Sequence, residues 1–416
     1  MKISLLSSAK RFVLFLIVTG MFLSGCASEI PSNSHETSFP SQTSTIDPIV
    51  IPLGTSIPTD FPADIPSQLP ELPVVSGSSM PKILGIILPV YWSSENVDKY
   101  MPEADALAGK KHTAVGWGID VQDPALYEPW ATDDDLNKNN LYRQLEQLWL
   151  KGYVSFVKIG SSTTIREIAD GQYDPQLNQM AQLYKRWLQN GGGRKAMFGP
   201  FQEMNGTWVP YYSPGLTPAQ RQQDYKDAYR HILEVFLNNG VDRSQIWWVF
   251  APNGGSLPED NFEYYYPGDD LVDLVGFASY NFGYCDATLK SDGSDYGNWE
   301  NYDRIYEPYI NRMQIMAPTK PIIITETGSS ALTSIEARKN HAYDYAAKTA
   351  WFELNYGWLA SQPMVLGIFY FDYNALGNNV ACDLGIPRSD FDGYKNAAAN
   401  PDFLYLPSEI LDNYIP

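Results

Sequence analysis

The chain has 416 residues, of which 48 are acidic and 29 are basic, giving a formal net charge of −19 at neutral pH. This charge argues against nucleic acid, or an anionic lipid surface bound by basic side chains, as a partner. The chain has only three cysteines and four histidines, without the spacing of a CxxC or HExxH motif, so we predict no metal site and no cofactor.

The N-terminus reads as an export signal. Basic residues precede an apolar run at 12–23, which is too short to span a bilayer comfortably. The run ends in Leu-Ser-Gly-Cys, typical of a bacterial lipobox, so residues 1–26 are predicted to be a lipoprotein signal peptide with Cys26 acylated. The protein would then be exported and lipid-anchored to a bacterial cell membrane, with its folded domain extracytoplasmic. The alternative is an ordinary cleaved signal in which Cys26 is incidental.

Residues 27–80 have the composition of a linker. Up to residue 79 they contain no Lys or Arg, and Pro, Ser and Thr make up nearly half of them. Such a segment buries too little apolar surface to offset the entropy of ordering, so we predict a disordered tether.

Residues 81–416 are predicted to form one globular domain, because short β-branched or aromatic runs alternate there with helical periodicity. Eight such runs are expected to be strands: 82–92, 112–121, 153–160, 195–203, 245–253, 271–281, 321–328 and 364–374.

Three intervening helices can be predicted from their patterns. An apolar stripe runs through 177–188, and a second stripe begins after the N-cap pair Thr217-Pro218 and ends at Gly240. A third helix is predicted over 335–356, whereas 254–270 has room for only a turn or two.

Eight strands alternating with helices indicate an α/β fold with a parallel sheet, which at this length closes most economically into a single (β/α)8 TIM barrel. An open doubly wound sheet is the alternative, but it would usually show a glycine-rich phosphate turn after its first strand, and 89–96 has none. We expect a monomer.

Two glutamates end predicted strands at the face where such barrels carry their chemistry. Glu203 ends the fourth run and Glu326 the seventh, so the barrel would bring them to opposite walls of one cleft. Paired carboxylates in an exported, aromatic-rich protein fit glycoside hydrolysis by a retaining mechanism, with a nucleophile and an acid/base about 5–5.5 Å apart. Taken singly, each would more simply be a strand-end acid in a surface ion pair.

The sequence resembles glycoside hydrolase family 26 over most of 81–416. The resemblance rests on EMNGTW (203–208), YYPGDDLVDLVGFASYN (265–281) and KPIIITETGSS (320–330), with IREIADGQYD (165–174), WWVFAPN (247–253) and PDF (401–403) in support. It implies a retaining endo-β-glycanase acting on β-linked polysaccharide, most often β-1,4-mannan (a mannan endo-1,4-β-mannosidase). Some members cleave mixed-linkage β-glucan or β-1,3-xylan instead.

Carried over by position, the resemblance makes Glu203 the acid/base and Glu326 the nucleophile. Tyr280 matches a phenol that donates a hydrogen bond to the nucleophile and so favours its ionised form. Apolar neighbours would keep Glu203 protonated, and one of them, Trp208, is a candidate sugar platform, with a core role as the alternative.

Further positions are candidates for substrate binding. Asn205 and Asn253 would either orient the catalytic groups or satisfy loop backbone. Trp117 in the second strand and Tyr370 in the eighth are candidate subsite aromatics, Tyr370 lying where the family often has Trp.

Two positions depart from the family pattern. Members usually carry Arg four residues before the acid/base and His immediately before it, whereas this chain has Gly199 and Gln202. A positive charge and an imidazole are therefore missing beside the expected centre, although Gln202 can still hydrogen-bond to a sugar hydroxyl. This departure affects the expected choice of sugar rather than the carboxylate pair.

Two competing interpretations follow. The chain would alternatively be a catalytically silent glycan-binding lipoprotein that retains the cleft, but both glutamates are present, which favours an enzyme. A different hydrolase of the same clan is disfavoured by the stretches 165–174 and 265–281.

Cys285 and Cys382 are predicted to follow strands six and eight, which flank strand seven. With Cys26 lipidated, they are each other's only available partners for a disulfide. Two buried thiols are the alternative.

Overall fold

The computed structural model describes residues 80–87, 94–123, 136–285, 298–373 and 383–415. Within them, eight parallel strands close into a barrel in which each strand pairs with its neighbours in sequence and β8 returns to β1. This confirms the predicted (β/α)8 barrel. The predicted signal peptide and nearly all of the predicted tether lie outside the described residues, as do 88–93, 124–135, 286–297, 374–382 and 416.

The strands lie inside the predicted runs but are shorter than them. They are β1 (Ile83–Ile87), β2 (Ala114–Asp120), β3 (Val154–Gly160), β4 (Ala196–Pro200), β5 (Ile246–Phe250), β6 (Leu274–Ala278), β7 (Ile322–Thr327) and β8 (Val365–Phe371).

The helices that the structure describes form the outer layer and the connections. They are α1 (Ser94–Ala108), α2 (Asn140–Leu150), α3 (Ile165–Ala169), α4 (Asp174–Leu188), α5 (Pro218–Asn238), α6 (Tyr302–Ile305), α7 (Glu307–Met316), α8 (Ile335–Lys339), α9 (Tyr345–Ala360), α10 (Gly393–Ala398) and α11 (Ser408–Leu411), with 3₁₀ turns at Arg243–Gln245, Pro258–Asp260 and Phe262–Tyr265.

The strands divide the core into two layers because successive side chains point to opposite faces. Ile83, Phe156 and Met197 belong to a cluster inside the barrel, whereas neighbours such as Leu84 and Phe198 pack outward against the helices. Leu406 and Leu411 from the C-terminal segment join the interior cluster. Backbone hydrogen bonds tie that segment to Lys82, just before β1. The end of the barrel opposite the site described below is therefore closed by apolar side chains.

The sequence predicts the ends of α5 correctly, but it does not predict the break inside the helix expected over 335–356. Thr217 caps α5 with the predicted capping pattern, and Gly240 adopts a left-handed φ of 77°. The helix predicted over 335–356 is wrong, because the structure divides it into α8 and α9. His341 has a left-handed φ of 49° between them, and Asp344 caps the new helix by accepting a hydrogen bond from the Ala347 N–H at 2.8 Å.

The connection between β5 and β6 is fixed by a buried carboxylate. Asp260, which is fully buried, accepts hydrogen bonds from the Arg221 guanidinium of α5 at 2.9 and 2.7 Å. Tyr265 donates another at 2.7 Å. Side chains therefore anchor a connection that has little helix of its own.

We expect Asp260→Ala to lower the free energy of unfolding by about 3–5 kcal/mol, because it leaves the Arg221 guanidinium buried without its counterion. Chemical denaturation monitored by circular dichroism measures this. The matched control is Asp270→Ala, since Asp270 is exposed and 3.8 Å from Arg230, where a loss below about 1 kcal/mol is expected. Equal losses in the two variants would contradict this account of the connection.

Candidate active site

Glu203 lies on a tight turn just beyond β4. The strand ends at Pro200, and both Phe201 and Glu203 have positive φ angles, of 52° and 58°. Positive φ is uncommon for side chains of this size and is held only where the surroundings enforce it. Here the Phe201 N–H donates to the Ile159 carbonyl of β3 at 2.7 Å, and the Glu203 N–H donates to Ala251 beyond β5 at 2.8 Å. The two neighbouring strands thus fix where the carboxylate lies.

Glu203 is 6% exposed, and each oxygen of its carboxylate has a donor. Asn253 Nδ2 donates to Oε1 at 2.6 Å, and the Trp208 indole donates to Oε2 at 3.0 Å. Burial, followed by the nearby negative charge of Glu326, raises the pKa of Glu203 to about 7, against the lowering effect of the two donors and of Lys158. Glu203 therefore holds a proton well above the pH at which a free glutamate would lose it.

Glu326 lies in β7 at an irregular point of the sheet. Register shifts occur on both sides of it, towards β6 near Ala278 and towards β8 between Ile324 and Thr327. Such bulges redirect side chains at barrel rims. The Glu326 side chain is almost fully buried, and the Tyr280 phenol donates to its Oε2 at 2.5 Å. The hydrogen bond that the sequence predicted between Tyr280 and the strand-seven glutamate is confirmed.

Lys158 is a site residue that sequence reasoning missed. Its ammonium in β3 donates to Glu326 Oε1 and forms an ion pair with it. The two oxygens of Glu326 therefore have different donors, a phenol and a cation, and both stabilise the ionised carboxylate. The signal was present in the sequence, since a lysine inside an apolar strand run is costly unless it has a partner.

Asn205 and Asn253 orient Glu203 in two steps. The Asn205 side chain accepts from the Asn253 N–H at 2.8 Å and donates to the Asn253 carbonyl at 2.9 Å. This fixes the backbone of Asn253, whose own side chain reaches Glu203. Of the two interpretations that the sequence left open, Asn253 contacts the carboxylate directly, while Asn205 satisfies loop backbone.

The predicted aromatic positions divide into one that lies in the site and two that do not. Trp208 is partly exposed and contacts Glu203, as a platform residue requires. Trp117 and Tyr370 are buried to within 1% of complete in the layer between strands and helices. The prediction that they line subsites is wrong, because strand alternation turns both of them away from the barrel axis.

Other rings occupy the rim near Glu326. Phe282, 45% exposed, stacks on Tyr280 with ring centroids 5.0 Å apart. Phe371, one residue beyond Tyr370, packs with the interior cluster and lies edge-on to Tyr280 at 6.2 Å, and it stacks on Tyr373 at 5.5 Å. The sequence did show an aromatic run at the end of β8, but choosing the right ring required the direction of each side chain.

The position before Glu203 is more enclosed than the sequence suggested. Gln202 is 9% exposed, and its Oε1 is buried without a hydrogen-bond partner among the described residues. Its backbone carbonyl accepts from the Tyr211 phenol. The predicted contact of Gln202 with a sugar hydroxyl stays a prediction.

Cys285 lies beyond β6, is fully buried and is disulfide-bonded. The other two cysteines, Cys26 and Cys382, lie outside the described residues. The alternative of a free thiol at position 285 is therefore wrong, and the pairing with Cys382 stays a prediction.

Within the described part of the chain, no cluster of three or more His, Cys, Asp or Glu side chains is suited to hold a metal ion. No helix in the same part is both long and apolar enough to cross a membrane.

We expect Glu203→Gln to change how thermal stability depends on pH. Because the pKa of Glu203 is raised from 4.5 to about 7 in the folded protein, its contribution is fully present below pH 4.5 and is lost as the pH rises through about 7. The melting temperature of the wild type should therefore fall relative to that of Glu203→Gln between pH 5 and pH 8. Calorimetry measures both curves, with Glu234→Gln on the exposed side of α5 as the control. Parallel curves for wild type and Glu203→Gln would contradict the raised pKa.

The family model for glycosyl hydrolase family 26 matches residues 161–296. The chain is 29% identical over 173 residues to Endoglucanase H of Acetivibrio thermocellus, covering 41% of this chain and 17% of that protein. It is 32% identical over 96 residues to Mannan endo-1,4-beta-mannosidase A and B of Caldalkalibacillus mannanilyticus, covering 23% of this chain and 18% of that protein. The chain thus spans less than a fifth of the length of each of these relatives.

Among solved structures, a modular endo-beta-1,4-mannanase from Cellulomonas fimi superimposes with a TM-score of 0.52 at 16% identity, over 79% of this chain and 74% of that one. At this identity the likeness supports the fold alone. The family match includes the turn of Glu203, its partners Trp208 and Asn253, and Tyr280. The predicted resemblance is therefore confirmed, in that residues 161–296 of the barrel match the model of glycosyl hydrolase family 26.

Proposed function

We propose that this protein is a glycoside hydrolase, specifically an endo-β-glycanase that cleaves β-linked polysaccharide by double displacement with retention. The observation that carries the proposal is the contrast between two neighbouring buried carboxylates. Burial and the charge of Glu326 raise the pKa of Glu203 to about 7. Glu326, in turn, has a cation on one oxygen and a phenol on the other. Environments that favour opposite protonation states in two neighbouring acids assign the general acid and the nucleophile.

In the first step, the ionised Glu326 attacks the anomeric carbon while Glu203 gives its proton to the departing glycosidic oxygen. The C–O bond to the leaving sugar breaks, and an ester between Glu326 and the remaining sugar forms. In the second step, Glu203, now ionised, takes a proton from water as the water oxygen attacks the anomeric carbon. The ester bond breaks, Glu326 recovers its charge, and Glu203 recovers its proton.

For the substrate we propose β-1,4-mannan, with mixed-linkage β-glucan and β-1,3-xylan as the alternatives. The mannan choice is supported by the mannosidase among the similar proteins, and the glucan alternative by the endoglucanase. The partly exposed rings of Trp208 and Phe282 lie beside Glu203 and Tyr280 respectively. They offer apolar faces on which sugar rings would stack.

We expect Glu203→Ala and Glu326→Ala each to lower kcat/KM on polysaccharide by at least roughly 10²-fold, while circular dichroism shows an intact fold. The two losses should differ in kind. Azide should rescue Glu326→Ala with inversion, because the anion reaches the open anomeric face. Glu203→Ala should be least impaired on aryl glycosides with good leaving groups, which depart without a proton.

The measurement is a reducing-sugar assay on mannan, mixed-linkage glucan and β-1,3-xylan, with product sizing to separate internal from terminal cleavage. Glu234→Ala, on the exposed face of α5, is the matched control and should retain wild-type rates. Near wild-type activity in either active-site variant would overturn the assigned pair. Binding to a polysaccharide without cleavage of any would instead favour a glycan-binding lipoprotein.

We also propose that the protein is a monomer anchored to the membrane surface by a lipid on Cys26, since the sequence at 23–26 supports acylation there. Cys26→Ser should then move the protein from the membrane fraction to the soluble fraction of the producing cell. Mass spectrometry of the N-terminal peptide measures the modification. Wild-type protein in the soluble fraction with an unmodified N-terminal peptide would refute the lipid anchor.

A further inference from the structure

We propose that Lys158 is a positioning residue of the proposed glycosidase and that its ion pair with Glu326 sets the pH range of activity. The proposal rests on the proposed function, since it assigns a role within that reaction. The family resemblance predicts an arginine at position 199, where this chain has glycine. The structure shows the cation of Lys158 in contact with Glu326.

The contacts of Lys158 place its charge at the centre of the site. Its ammonium binds Glu326 Oε1, while the Tyr280 phenol binds Oε2. The side chains of Lys158 and Glu326 are only 17% and 4% exposed. In such surroundings a charge pair interacts more strongly than on the surface, because water screens it less.

The strand register explains why the cation comes from β3. Lys158 and Gly199 are direct partners across the β3–β4 pair, so both lie at the same height in the barrel. A Cβ atom at position 199 would lie 3.0 Å from the Phe156 ring, closer than ordinary packing allows. A long side chain there would require Phe156 to move, whereas Lys158, two residues after Phe156 on the same side of its strand, extends past the ring.

Several titratable groups lie around this cation. Glu326 of β7 contacts it directly, and Tyr280 beyond β6 contacts Glu326. Glu203 beyond β4 is near enough that Lys158 lowers its pKa. Tyr211 experiences the charges of Glu203, Glu326 and Asp120, the last residue of β2. Lys158 is therefore the cation of an otherwise acidic group, and removing it should disfavour the ionised form of both glutamates.

The test compares the pH dependence of kcat/KM on the best polysaccharide in wild type, Lys158→Met and Lys158→Arg. In Lys158→Met both limbs should move to higher pH by roughly one unit. The acid limb moves because Glu326 loses its counterion, and the basic limb moves because Glu203 keeps its proton longer. Lys158→Arg, which keeps the charge, should restore both limbs towards wild type. Lys151→Met, which removes a partly exposed lysine paired with Asp98, should leave the profile unchanged.

Tyr280→Phe separates charge from hydrogen bonding. It removes a neutral donor from Glu326 and leaves the charge near Glu203 as it was, so only the acid limb should move. Lys158→Gln is the second neutral variant, used if Lys158→Met fails to fold by circular dichroism. The role assigned to Lys158 would be overturned if a folded neutral variant had the same acid and basic limbs in its pH profile as wild type, whatever the change in kcat.

A measurement without substrate keeps this inference distinct from the proposed function. The full chain labelled with ¹³C in glutamate carboxyls is titrated by NMR, with the Glu326 resonance assigned from Glu326→Gln. Its midpoint should rise by roughly one pH unit in Lys158→Met and stay near wild type in Lys158→Arg. An unchanged midpoint would overturn the inference. An inactive wild type that nevertheless shows the shift would sink the proposed function while retaining the ion pair.

Discussion

The constraint on which the site depends is that two carboxylates cannot both carry a charge in a poorly hydrated cleft without compensation. Glu203 and Glu326 are each less than 10% exposed, and the charge of Glu326 adds to burial in raising the pKa of Glu203. The molecule meets this constraint asymmetrically. Among the described residues, Glu326 forms an ion pair with Lys158, whereas Glu203 accepts hydrogen bonds from the neutral donors Asn253 and Trp208. Neutral donors compensate a charge less than a cation does, so Glu203 is the acid that keeps its proton.

The barrel must hold the two carboxylates close together while giving each a different environment. The closed sheet brings the ends of β4 and β7 to one rim, although they are far apart in sequence. At each of the two ends the regular strand geometry is broken. Glu203 occupies a left-handed turn fixed by hydrogen bonds to residues of two neighbouring strands, and Glu326 lies between register shifts. Such departures from ideal geometry cost free energy and persist where the surrounding structure over-determines them.

The charge pattern around the pair differs from what the family resemblance implies, yet it remains balanced. The glycine at 199 leaves room for Phe156, and the partner of Gly199 in register is Lys158. An imidazole is likewise replaced, by Gln202, whose amide oxygen is buried. In the proposed reaction, such a site would keep the charges that act on the two carboxylates while changing the groups that surround the sugar. Substrate choice is therefore the property on which this protein would differ most from its relatives.

The sequence by itself determined the eight-strand alternation, the caps of α5 and the two glutamates, because these depend on local periodicity, on residue type and on position along a strand. Matching motifs extended this to Tyr280, whose hydrogen bond is present. The tertiary structure decided the features that depend on the direction in which each side chain points. Trp117 and Tyr370 have the right residue types on the right strands, yet they face the helices, because one step along a strand reverses a side chain. Lys158 and Glu326 are far apart in sequence and meet only across the closed barrel. Local patterns specify which residues end each strand, whereas only barrel closure and register specify which of them come into contact.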